Sequence, residues 1–246
     1  MSGLRIDILN KRYAAMDHDR SPQTIADFQL QIPANQFVCL VGPSGCGKTT
    51  LLNMVAGLDK DYQGHIATDS ASPTPAIGYV FQNPRLLPWY TVRRNIELVF
   101  PGKPPAMLID SLLAEMQLLE VQHQYPQRLS LGMQRRVAII RAFAINPDLL
   151  LLDEPFVSLD APTARQVRLL LSDLWRQRPH TVLFVTHDLR EAIALADRLI
   201  FLSTSPMRII DDIVVEIPRH QRHDEALVER FRERLLNEHP RIRSLL

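Results

Sequence analysis

Residues Gly42 to Thr50 read GPSGCGKTT, and no other stretch of this 246-residue chain narrows its fold so far. The spacing G-x-x-x-x-G-K-[ST] follows an apolar run ending at Val41. It precedes TTLLNMVAGL, in which Leu51, Leu52, Val55 and Leu58 recur at helical spacing. A strand, a glycine-rich loop and a helix in that order make a cradle for phosphate. The glycines let the backbone wrap until several N–H groups face one phosphate chain, reinforced by the positive end of the helix. On this reading Gly42, Pro43, Ser44, Gly45, Cys46 and Gly47 surround a nucleotide's phosphates, with Thr50 closing the stretch. Lys48 neutralises the terminal phosphates and Thr49 offers its hydroxyl to Mg²⁺.

The rest of the chain suits such a loop. QFVCLV (36–41), DLLLLD (148–153) and TVLFVT (181–186) are short and almost wholly apolar, as strands buried on both faces are. They alternate with longer helix-like stretches, which predicts an α/β fold with a parallel sheet. The opening LRIDILNKRY and the later FQLQIP alternate apolar with polar residues, which predicts a smaller antiparallel sheet near the amino end. Proline-rich breaks at SASPTPA (70–76) and PGKPPA (101–106) punctuate the middle, and AMLIDSLLAEMQLLE (106–120) has helical spacing. Roughly residues 84–146 therefore read as a mostly helical insertion. A carboxy-terminal tail, about 216–246, holds HDEALVERFRERLLNEH, an amphipathic helix with Leu227, Val228, Phe231 and Leu235 on one side.

A phosphate loop needs a carboxylate for its metal, and LLLLDEP (149–155) supplies one at a strand's carboxyl end, where ligands of open α/β sheets gather. Asp153 is placed to hold Mg²⁺ through water, and Glu154 to polarise an attacking water. A formal net charge of +1, with no block of like charges, leaves no electrostatic footprint for nucleic acid. No signal-peptide pattern opens the chain and no apolar run approaches the ~20 residues that span a bilayer, so any membrane is expected to be reached through a partner. Cys39 and Cys46 lie too close along a strand and loop for a useful disulfide, which suggests a reducing compartment. Cys46, at a helix amino end beside Lys48, is expected to be the more reactive thiol.

Four further phrases complete a set: YVFQNP (79–84), LSLGMQ (129–134), SLDA (158–161) and VTHD (185–188). Over about residues 4–215 the chain resembles the ATP-binding subunit of an ATP-binding cassette (ABC) transporter. The resemblance implies a P-loop NTPase (RecA-like) core with an amino-terminal antiparallel β subdomain and a helical insertion subdomain, all one ABC ATPase domain over 1–246. It implies an ATPase using ATP and Mg²⁺, in which Glu154, His187 and Gln82 are catalytic and Gln82 also reaches the metal with Thr49 and Asp153. Tyr13 is the candidate to stack on adenine, the alternative being a core tyrosine. Two subunits would close head to tail, each ATP lying between the phosphate loop of one and the signature of the other. There Ser130 would hydrogen-bond the γ-phosphate, with Gly132, Met133 and Gln134 at the helix start and Asp160 in the loop across the dimer.

The resemblance also implies partners: membrane permease subunits, indirectly a substrate-binding protein, no nucleic acid, and a peripheral place on the cytoplasmic face of the cell membrane. PRLLPWYTVRRNI (84–96) is similar to the matching segment in importers of the nitrate, sulfonate and taurine group. Trp89 and Tyr90 would then anchor a short helix of the membrane subunit, unless both rings pack beneath the helical insertion. The chain departs from the family at Leu131, where a glycine is usual. The backbone donor survives, so the questions are crowding at the γ-phosphate and any need for positive φ. A working loop with an altered rate is expected. Two other classes remain: a soluble ABC ATPase acting on DNA or ribosomes, which would carry coiled-coil insertions or a second fused cassette, and a non-hydrolysing nucleotide-binding regulator, supported by Leu131 alone.

Overall fold

The computed structural model describes residues 3–13, 23–69, 75–243 and 245. In chain order its elements are β1 (Leu4–Arg12), β2 (Gln23–Ile32), β3 (Phe37–Val41), α1 (Lys48–Val55), β4 (Gln63–Thr68), β5 (Ile77–Val80), α2 (Val92–Glu97) and α3 (Ala106–Glu115). They continue with α4 (Leu131–Ala144), β6 (Leu149–Asp153), α5 (Ala161–Gln177), β7 (Thr181–Thr186), α6 (Leu189–Leu195), β8 (Arg198–Leu202), β9 (Ile209–Val214), α7 (Glu225–Glu238) and α8 (Pro240–Arg243). Two compact units result, one from Met1–Pro73 with Thr181–Leu246 and one from Thr74–His180.

In the first unit the alternating segments pair as their pattern requires. β1 runs antiparallel to β2 with Ile6 opposite Leu30 and Ile8 opposite Phe28, so one face carries the apolar residues. The other edge of β1 takes β4, a strand without apolar alternation. Gly64 permits this approach, because a Cβ there would lie 2.2 Å from the Asp7 carbonyl oxygen. Two of the strands read as fully buried, β3 and β7, pair in parallel, and β8 adds parallel to the other edge of β3. β9 then adds antiparallel to β8, an addition to the purely parallel sheet expected from the pattern. Asp224 caps α7 through the N–H groups of Ala226 and Leu227, and α7 packs on α6 with Val228, Phe231 and Leu235 buried. Leu227 is only half-buried.

In the second unit β5 and β6 pair in parallel, Val80 opposite Leu152. Every regular element described between them is helical. Helix α3 stops at Glu115, short of the 106–120 stretch, because Gln117 takes a φ of 56° and the Leu118 N–H returns to the Leu113 carbonyl at 2.7 Å. Helix α4 packs against β5, α2, α3 and α5, burying Val137, Ile139, Ile140 and Phe143. Among the described residues no helix is long and apolar enough to cross a membrane.

Candidate functional site

The phosphate loop leaves β3 at Val41 and re-enters helix at Lys48, and its glycines do the turning. Gly45 has φ 78° and Gly47 φ 111°, backbone that L side chains resist. A Cβ on Gly45 would meet nothing within 4 Å, so the loop is open on that side. Gly47 is the N-cap of α1 without a side-chain hydrogen bond, and no acidic residue occupies the first turn. The positive end of α1 is thus not neutralised by its own sequence. Lys48 is buried, and its Nζ donates to the carbonyls of Gly42 at 2.8 Å and Pro43 at 2.9 Å, holding the charge inside the loop. Ser44 and Thr49 are exposed at the rim and Thr50 is half-buried.

Tyr13 and His187 belong to this same unit. Tyr13 is exposed, but its hydroxyl lies 2.9 Å from Thr50 Oγ1, which ties the ring to the helix that ends the phosphate loop. The ammonium of Lys11 stands 4.7 Å from the ring centroid and is buried between Asp59, at 2.9 Å, and the Asp61 carbonyl, at 2.6 Å. His187 is exposed at the carboxyl end of β7, in a turn pinned on both sides. Asp188 caps α6 through the N–H groups of Arg190 and Glu191, and the Thr186 hydroxyl donates to Glu191 at 2.8 Å.

Cys46 corrects an expectation. Its thiol is 2 % exposed and turned toward Gly42, so access is lost whatever the helix end does to its acidity. Cys39 is also buried, and burial raises its pKa well above the ordinary value, helped by the Glu191 carboxylate.

The second unit carries the carboxylates and the signature. Asp153 ends β6 and is buried, while Glu154 is half-buried with a φ of 43°, a left-handed conformation unusual for glutamate. Burial and the charge of Asp153 push the Tyr79 phenol upward in pKa. Gln82 is exposed just past β5, beyond Phe81, whose ring stacks on Tyr79 at 4.0 Å and carries the Arg85 guanidinium at 4.0 Å. Ser130 is the N-cap of α4, its Oγ accepting the Met133 N–H at 3.2 Å. Its hydroxyl proton remains to donate outward. Gln134 turns inward instead, its amide donating to the carbonyls of Pro126 and Leu129 at 3.1 and 3.2 Å.

Leu131 is the first residue of α4 and is absent from the positive-φ residues, so leucine sits there without backbone strain and with its side chain 36 % exposed. Gly132 has a reason within the fold: a Cβ there would lie 2.4 Å from Thr163 Cγ2 on α5. Asp160 caps α5, accepting the Thr163 N–H at 3.1 Å, and hydrogen bonds from Thr163 hold its carboxyl below the usual range.

Trp89 is 65 % exposed and Tyr90 half-buried, edge to face at 6.4 Å. Both rings stand on a loop fixed from below by fully buried Asn95, whose amide bonds the backbone of Leu87, Tyr90 and Thr91 at 2.8–3.1 Å. Asn95, Lys11 and Arg135 escaped the sequence reading because each resembles an ordinary polar residue of its helix or strand.

These residues fit a nucleotide. The glycine cradle, the open helix end and the buried lysine offer donors and positive charge to phosphate. Among the described residues there is no group of three or more His, Cys, Asp or Glu that could hold a metal ion.

Comparison with known proteins agrees. The profile of the ABC transporter family matches residues 25–157. The chain belongs to the ABC transporter family. An aliphatic sulfonates import ATP-binding protein of Bacillus licheniformis is 40 % identical over 87 % of this chain and 86 % of its own length. A nitrate import ATP-binding protein of Synechococcus elongatus is 41 % identical over 83 % of this chain and 78 % of its own. Among solved structures, a dimeric post-hydrolysis ATP-binding cassette bound to ADP and Pi aligns with a TM-score of 0.74 and 28 % identity, covering 87 % of this chain and all of that one. The cassette therefore has the P-loop NTPase fold and is an ATP-binding ATPase.

Proposed function

We propose that the cassette powers the import of a small oxyanion, such as a sulfonate, taurine or nitrate, through permease subunits that it meets at the cytoplasmic face of the cell membrane. The relatives named for sulfonate and nitrate import support the cargo class. The geometry of Gly42–Thr50 is the observation that carries the nucleotide chemistry. Its glycine-turned loop leads into a helix start without a side-chain cap, with Lys48 held inside.

In this reading Lys48 neutralises the γ-phosphate and the loop's N–H groups hold the phosphate chain while Tyr13 supports the base. Mg²⁺, when bound, offsets charge on the phosphates, and Thr49, Asp153 and Gln82 are the residues that would hold it. Glu154 accepts a proton from the attacking water, and His187 orients the γ-phosphate side. Ser130, with the N–H of Gly132 and with Met133 beside it, meets the γ-phosphate of a second copy in a head-to-tail dimer, and Asp160 lies along that contact. Dimers of the aligned cassettes support this arrangement. Trp89 and Tyr90 form the permease anchor, a substrate-binding protein delivers the cargo, and residues 1–246 act as one domain with its helical segment at about 84–146. The helix start at Leu131 needs no positive φ, which weakens the one argument for a non-hydrolysing regulator.

Glu154→Gln tests the reading. The amide keeps the shape of the side chain but cannot take the proton, so ATP binding should persist while hydrolysis falls by ~10²–10⁴. Size-exclusion chromatography should show ATP-bound dimers accumulating. Hydrolysis at the wild-type rate would remove Glu154 from the role.

A further inference from the structure

Arg135 stands in the first turns of α4, five residues after Ser130, and is 2 % exposed. Its Nη1 donates to the Phe81 carbonyl at 3.2 Å and its Nη2 to the Val157 carbonyl at 3.3 Å. Its Nε–H has no partner among the described residues. Among the described residues no carboxylate pairs with it, and burial lowers its pKa. Burying an unpaired guanidinium is costly, and a methionine of similar length would pack there without that cost. Stability therefore does not explain the residue; the two carbonyls do.

Each carbonyl belongs to a peptide plane that leads into a functional loop. The Phe81 carbonyl shares its peptide with the nitrogen of Gln82. The Val157 carbonyl shares its peptide with Ser158, whose φ is 66°. The Val157 N–H returns to the Glu154 carbonyl at 3.2 Å, so the turn held by Arg135 begins at Glu154 itself, with φ 43°. Two left-handed non-glycine residues within one short loop persist only where their surroundings fix them. Arg141, further along α4, donates to the carbonyls of Pro84 and Arg85 at 3.0 Å, so the loop carrying Gln82 hangs from one helix at both ends.

We propose that Arg135 is a positioning residue for ATP hydrolysis: it locks the loops of Gln82 and Glu154 to the helix that begins at Ser130, so that the three move together. The inference rests on the roles proposed above for Glu154 and Gln82. Contact of a phosphate with Ser130 then reaches Glu154 through α4 and one guanidinium rather than through a flexible loop.

The test uses the full chain with Arg135→Met and Arg135→Lys, measuring kcat and KM for MgATP, ATP binding and thermal unfolding. Arg135→Met keeps the packed stem and strands both carbonyls, so kcat should fall on the order of 10²-fold, as misplaced reacting groups do. KM and ATP affinity should stay within about threefold, since the phosphate loop lies in the other unit. Arg135→Lys, whose ammonium can serve one carbonyl, should recover part of kcat. Unchanged kcat in Arg135→Met would overturn the proposal. So would a kcat loss matched by equal losses of ATP binding and melting temperature with lysine no better than methionine. If Arg135→Met does not fold, Arg135→Lys decides alone: reduced kcat at unchanged KM supports the lock, and unchanged kcat refutes it. Glu154→Gln run alongside separates the two ideas. A wild-type rate there sinks the assignment of Glu154, whereas an inactive Glu154→Gln beside fully active Arg135 variants sinks only the lock.

Discussion

Adding one methyl group at Gly132 probes how the signature loop is built. The new Cβ would stand 2.4 Å from Thr163 Cγ2, where two carbons prefer about 3.5–4.0 Å. More than an ångström must be found, either by spreading α4 from α5 or by rotating Thr163. The second route is resisted, because the Thr163 side chain is hydrogen-bonded to Asp160, the cap of α5. Overpacking of this kind costs about 1–3 kcal/mol. Alanine's better helix propensity returns up to about 1 kcal/mol. Taking the middle of that cost, a net loss of about 1 kcal/mol should lower the melting temperature of a chain this long by roughly 2–4 °C. Thermal melts of Gly132→Ala, Thr163→Ser and the double variant give the decisive comparison. Serine keeps the hydroxyl for Asp160 and deletes Cγ2, so the double variant should regain at least half of the loss. A Gly132→Ala protein that melts like wild type, or one that serine does not relieve, would show that the glycine is not there for α5. Hydrolysis still lost after stability is regained would instead mean that the methyl obstructs phosphate.

Leu131→Gly should relieve no backbone strain, because Leu131 carries no positive φ; a melting temperature lower by roughly 2–4 °C and ATPase within about twofold of wild type are expected. A rate gain above about fivefold would reveal crowding at the phosphate. Buried Cys46 should resist a maleimide in folded protein under conditions that label the denatured chain, with or without MgATP, as mass spectrometry of labelled peptides can show. Rapid labelling of native protein would mean that the loop opens. His180 is 3 % exposed and packed against the Phe143 ring, and burial lowers its pKa from the ordinary 6.5. The unfolded chain therefore takes up a proton that the folded chain resists. Its share of stability is present above 6.5 and is lost as pH falls below it toward the folded pKa, by up to about 1.4 kcal/mol per pH unit. Urea melts at two pH values should show His180→Gln removing part of that acid loss; an identical pH slope would refute the assignment.

The phosphate loop, the carboxylates after LLLL and the order of the family motifs were legible in the chain, because each is a short run whose chemistry depends on its immediate neighbours. The buried strands were legible too, since β3, β6 and β7 are apolar at almost every position and only a doubly covered strand tolerates that. Strand β4 was not: it has no alternation of its own and exists because β1 offers an edge and Gly64 lets the backbones meet. The direction of the Cys46 thiol, the packing cause of Gly132 and the two carbonyls held by Arg135 were likewise beyond local reading. Cys46 faces Gly42 four residues back, Gly132 is constrained from α5, and Arg135 spans 54 residues to Phe81 and 22 to Val157. Periodicity reports which side of an element is buried, but the partner against which it is buried is chosen only when distant segments pack together.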